Sequence, residues 1–131
     1  MRPIPVGAKG SFSLVITTEH LANRFKDAML PAVLATPVMV MIMENAALNA
    51  IRAYLEATES AVGTRVDVIH LAATPVGLTA TANAEVTRVD GRRIEFRIDA
   101  TDGIDKIGTA THERMVIDRV KFNERLKMKS A

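Results

Sequence analysis

Residues Val38 to Leu55 read VMVMIMENAALNAIRAYL, and the fold turns on how this run is read. From Pro37 to about Ala57 there is no Gly and no further Pro, and Ala, Met, Leu and Glu dominate. All four are good helix formers, so the run is expected as one long helix. At about 100° per residue, Asn45, Asn49, Arg52 and Glu56 fall within an arc of roughly 60° and form its polar stripe. The rest of the circumference is apolar apart from Glu44. A helix of this kind has to be wrapped rather than laid on a surface.

The remaining sequence supplies the wrapping. SFSLVITT, from Ser11 to Thr18, alternates as a strand, and TTEHLANRF offers a threonine cap before a short helical turn. After the helix, VGTRVDVIHLAA is a long, more uniformly apolar strand ending at the turn Thr74-Pro75-Val76-Gly77. LTATANAEV sets Leu78, Ala80, Ala82, Ala84 and Val86 on one face, and RIEFRIDA does the same with Ile94, Phe96, Ile98 and Ala100. Asp90-Gly91 and Asp102-Gly103 are turn signals. The order strand, long apolar helix, antiparallel meander predicts an α+β hotdog fold, a sheet wrapped around one central helix, as a single domain over residues 1–131. The small inward residues Ala80, Ala82 and Ala84 suit close approach of sheet to helix. An unpaired strand edge is disposed of when two such sheets join, so a homodimer is expected.

Bulk properties exclude several classes of function. A formal charge of +2, from 17 Lys and Arg against 15 Asp and Glu, is too mild and scattered to indicate nucleic acid. Only RVKFNERLKMK, from Arg119 to Lys129, concentrates basic residues, and it reads as a solvated terminal helix face, with an anionic ligand phosphate as the minority reading. The absence of cysteine removes disulfides, thiolate nucleophiles and cysteine metal sites. MRPIPVGAKG has no apolar signal region and no stretch is long enough to span a membrane, so a cytoplasmic protein is expected. Aromatic content of 4% without Trp leaves few stacking surfaces for single strands or sugars. No phosphate loop, dinucleotide glycine pattern or G-x-S-x-G elbow occurs, and the three histidines lack metal spacing, so neither cofactor nor metal is expected.

Three residues stand out from the pattern. Glu44 lies off the polar stripe with Val40, Met41, Leu48 and Ile51 as neighbours, so packing that buries them draws it inward. An ionised carboxylate there needs a partner, water or a proton, and in an apolar cleft it gains the basicity that hydrolysis uses. The bland alternative is a glutamate that reaches solvent or pairs with Arg52 or Arg114. Strand parity groups His70 with Val66, Val68 and Ala72, where another aliphatic is expected; a hydrogen-bonded core histidine is the commoner explanation. Thr36-Pro37 reads first as a helix N-cap followed by proline. THER, Thr111 to Arg114, puts His112 and Arg114 on one strand face. Met39, Met41 and Met43 read first as core, with an adaptable acyl pocket second.

The segments AT-P-V-M-V-x-x-ME-x-A, VGT…VxHLAATPxGLTxTAxAEV, VDGRR, DGxDxIGxxTHERxVI and KFN together resemble the fluoroacetyl-CoA thioesterase group of hotdog acyl-CoA thioesterases, from about Val33 to Asn123. The resemblance implies a site of Thr36, Glu44 and His70, with Gly63 supplying a backbone N–H and Arg114 grouped with it in oxyanion or substrate binding. It implies an acyl-CoA substrate, with Glu44 as nucleophile or general base. Asp27 and Leu30 stand in DAMLPAVLAT where the fluoroacetyl-specific member carries phenylalanines over the acyl pocket, which directs the expectation to another short or medium acyl-CoA. A hotdog hydratase or dehydratase and a noncatalytic acyl-CoA binding module are the alternatives.

Overall fold

The computed structural model describes residues 1–130. Five strands form one antiparallel sheet in the order β1-β3-β4-β5-β2: β1 (Lys9–Val15), β2 (Glu59–His70), β3 (Thr79–Asp90), β4 (Arg93–Thr101) and β5 (Lys106–Asp118). A short helix α1 (Ala22–Phe25) precedes the long helix α2 (Thr36–Ile51), and α3 (Arg119–Ser130) follows β5 with every side chain outside the core. This is the hotdog arrangement, and no described helix is long and apolar enough to cross a membrane.

The helix ends earlier than its composition suggests. After Ile51 the chain tightens into a 3₁₀ turn, Arg52–Tyr54, before it swings into β2. Its buried positions are Val38, Met39, Ile42, Met43, Ala46, Ala47, Ala50 and Ile51, a single face at helical spacing. The apolar residues outside that face are only partly covered, and Met41 is 38% exposed. The sheet therefore wraps about half of the helix, mainly through β1 and β3. Contact there is backbone to backbone: a Cβ built on Gly10 of β1 would lie 2.5 Å from the Ala46 carbonyl oxygen and 2.7 Å from Ala50 Cα. Gly10 pairs with Ala84 of β3, so small residues line both sides of the approach.

The meander follows the alternation. Ala80, Ala82, Ala84 and Val86 of β3, and Ile94, Phe96, Ile98 and Ala100 of β4, all face inward and are buried. Gly91 and Gly103 take positive φ values of 59° and 89° in the two tight turns, where a side chain would strain the backbone. Asp102 secures the second turn, its Oδ1 accepting the Ile104 and Asp105 N–H groups at 2.9 and 2.8 Å. Its Oδ2 accepts the Thr74 hydroxyl at 2.9 Å, and the Thr74 carbonyl accepts the Leu34 N–H at 2.8 Å. The segment leading into α2 is thus tied to the loop that leaves β2.

Strand β2 carries one irregularity. Gly63 pairs with Arg114 and Arg65 with Glu113, so Thr64 is an extra, bulged residue. Without it, Gly63 and His70 would face opposite sides of the sheet, because an odd spacing inverts the side chain.

Candidate active site

The N-terminal end of α2 and the C-terminal end of β2 meet at Thr36 and His70, with Thr36 Oγ1 2.8 Å from His70 Nδ1. The helix cap falls on Ala35 and no side chain caps it, so the capping role expected for Thr36 is replaced by this contact. His70 Nε2 is buried and finds no hydrogen-bond partner among the described residues. Burial holds the imidazole below its ordinary pKa of 6.5, opposed in part by the backbone of Ala72. A cavity of about 390 Å³ opens here, lined by Leu30, Val33, Leu34, Thr36, His70 and Leu71. A larger groove of about 460 Å³ runs among Lys9, Asn83, Glu85 and Arg97. It is a polar groove on the surface, so the smaller, apolar cavity is the better candidate.

The second group lies further along the same helix. Glu44 is drawn inward less than expected, because Val40, Met41 and Leu48 are not fully covered: its side chain is 37% exposed. It pairs with Arg114 rather than Arg52, Glu44 Oε2 standing 3.9 Å from Arg114 Nη1, while Arg52 bonds Asn49. Arg114 is itself 9% exposed, and its fork of Nε and Nη2 donates to the Ala61 carbonyl at 3.2 and 2.8 Å. At Gly63 the constraint is space rather than φ, and the atom that would have to move is the end of the Glu44 side chain. A Cβ there would sit 2.9 Å from Glu44 Oε2 and 3.4 Å from His112 Cε1. The missing side chain lets the carboxylate lie against the backbone of β2.

Within one chain these are therefore two separate clusters. Eight residues of helix from Thr36 to Glu44 span about 12 Å, and the stretch of β2 from Gly63 to His70 spans roughly 20 Å. The imidazole that neighbours Glu44 within the chain is His112, 3% exposed and 3.2 Å from Arg114 Nη1, not His70. Strand parity put His112 and Arg114 on one face but gave no reason to pair them with Glu44. The glycine inside a strand pattern at Gly63 was the available signal for the bulge.

Chemically, the arrangement offers a neutral imidazole oriented by a hydroxyl in an apolar cavity, and a carboxylate beside a guanidinium and an open stretch of backbone. These are the parts that acyl transfer uses. Comparison with known proteins gives the same class. The FlK family profile, described as fluoroacetyl-CoA-specific thioesterase, matches residues 16–120. The fluoroacetyl-CoA thioesterase of Streptantibioticus cattleyicolor is 48% identical over 115 residues, covering 87% of this chain and 83% of that protein. A crystal structure of a variant of the fluoroacetyl-CoA-specific thioesterase FlK superposes with a TM-score of 0.91 at 40% identity, covering 98% of this chain and 99% of that one. A thioesterase superfamily member from Thermus thermophilus superposes with a TM-score of 0.89 at 32% identity, covering 98% and 97%. The chain belongs to the fluoroacetyl-CoA-specific thioesterase family and is a thioesterase of hotdog fold.

Proposed function

We propose that the protein hydrolyses a short or medium acyl-CoA thioester to the free acid and CoA, as a homodimer with its sites at the subunit boundary. The observation that carries this reading is the 2.8 Å contact between Thr36 Oγ1 and His70 Nδ1 in an apolar cavity, on the same helix that aims Glu44 at Gly63 and Arg114. The curated relative is named a fluoroacetyl-CoA thioesterase. Leu30, an aliphatic residue, lines the cavity here, which supports an ordinary acyl group over a fluoroacetyl one.

Glu44 acts in one of two ways. It adds to the thioester carbonyl and expels the CoA thiolate, leaving an acyl anhydride that water opens, or it takes the proton from the water that attacks. In both routes negative charge gathers on the carbonyl oxygen, where the Gly63 N–H and the Arg114 guanidinium stabilise it. His70, neutral and oriented by Thr36, positions or deprotonates water and returns the proton to the departing thiolate.

The two half-sites come together if two copies join along β2. That strand forms one margin of the sheet, bonded only to β5 among the described residues. In an antiparallel pair about a two-fold axis, with Thr64 the extra residue of the bulge, setting Asp67 opposite the same residue of the second copy places Gly63 of one copy across from His70 of the other.

Thiol release from acyl-CoA esters of two to eight carbons, compared between the wild type and Glu44→Gln, tests the reading. The wild type should cleave at least one of them, and Glu44→Gln should lose a factor of about 10² to 10⁴ while remaining folded. Release from none, or wild-type rates in the variant, refutes the proposal.

A further inference from the structure

His112 is a buried, polar, titratable group that the proposed chemistry does not use. Its ring is 3% exposed and stacks on Phe96 with centroids 5.6 Å apart and planes 27° from parallel. Both nitrogens are engaged. Nδ1 lies 2.8 Å from the Arg65 carbonyl, just past the bulge in β2, and Nε2 lies 3.2 Å from Arg114 Nη1.

Hydrogen-bond chemistry allows one assignment of these contacts. A guanidinium is always charged and only donates, and a carbonyl only accepts. Nε2 must therefore present a lone pair to Arg114, and the single ring proton must sit on Nδ1 and be donated to Arg65. A proton added at Nε2 would face the guanidinium with no acceptor. Burial is the main influence keeping the ring from taking that proton; the Arg65 carbonyl opposes it and Arg114 reinforces it. Glu44 from α2 and Glu113 from β5 favour the charged form. Phe96, its stacking partner on β4, carries no charge.

The same Nη1 that His112 engages also faces Glu44, standing 3.4 Å from its carbonyl oxygen and 3.9 Å from its carboxylate. The Nε and Nη2 arms hold one edge of the rigid, planar guanidinium to Ala61, and His112 holds the same plane from its Nη1 corner. We propose that His112 is a positioning residue: its neutral Nδ1–H tautomer fixes Arg114 Nη1 against Glu44, and protonating the ring releases that contact. This rests on the thioesterase reading of Glu44. His112 touches no substrate; it acts through Arg114 on the carboxylate.

Two measurements test it. Long-range ¹H–¹⁵N correlation spectra of the histidine-labelled wild type should show, at neutral pH, a bare His112 Nε2 and a protonated Nδ1. A proton on Nε2 overturns the proposal, and this readout does not depend on turnover. In acyl-CoA hydrolysis, His112→Leu removes the acceptor but keeps an apolar side chain against Phe96, and kcat should fall about ten- to a hundredfold with KM little changed. His112→Gln, whose amide oxygen can accept from Arg114 but does not titrate, should restore kcat to within a few-fold and make the acid limb of the pH profile one proton shallower. Wild-type kcat in His112→Leu, or a His112→Gln variant that folds but is equally impaired, overturns the proposal. An inactive wild type would instead overturn the thioesterase reading and leave the tautomer to be decided by the spectra.

Discussion

His70 can serve as a base only while its imidazole is neutral, and burial keeps it neutral at physiological pH by holding its pKa below 6.5. The active form is present above the depressed pKa and is lost as pH falls through it. kcat/KM should therefore stay level from neutrality down past pH 6.5 and decline only below that, as a pH–rate profile would show. A decline centred above 6.5 would contradict the assignment. Thr36 shows how far residue-level reading reaches. Its position before Pro37 permitted a cap, and only the approach of β2 gives its hydroxyl a histidine to bond instead. Glu44 was legible as an outlier on its helix. Its partner Arg114 was not fixed, because the alignment of α2 with β5 is a tertiary fact that neither segment encodes alone.

Among the elements, α2 is the one whose placement everything else requires. It rests on β1 at Gly10, where any Cβ would meet the backbone of Ala46 and Ala50. Backbone at both contacts cannot rotate away, so Gly10→Ala should destabilise the fold by at least about 1–3 kcal/mol, the usual cost of overpacking, read from the denaturant midpoint. It should also lower activity in the surviving folded fraction, since Glu44 lies two residues before Ala46. The helix and the meander were readable because each has a clean period. The end of α2 at Ile51 was not, because Arg52 to Tyr54 are compatible with a helix and turn only to deliver the chain to β2. The bulge at Thr64 escaped for a related reason: a regular period of two cannot announce its own interruption, although Gly63 marked the place.

At the scale of the whole molecule, the single chain separates Glu44 and Gly63 from Thr36 and His70, and the proposed pairing of β2 strands reunites them. Glu44→Gln and His70→Ala homodimers should each be nearly inactive. Mixed in one heterodimer, they leave one site with Glu44 from one chain and His70 from the other, both intact. Unfolding and refolding the two variants together should therefore restore activity toward a quarter of the wild-type level, the mixed dimer being half of a random population with one good site of two. No recovery would mean that each chain carries its own complete site.

The unpaired margin of β2 bears on how such an enzyme behaves when scarce. If each catalytic centre is shared, turnover per chain is a property of protein concentration: below the dissociation constant of the pair it should fall in proportion to the dilution, and the total rate with its square, although every chain keeps its tertiary structure.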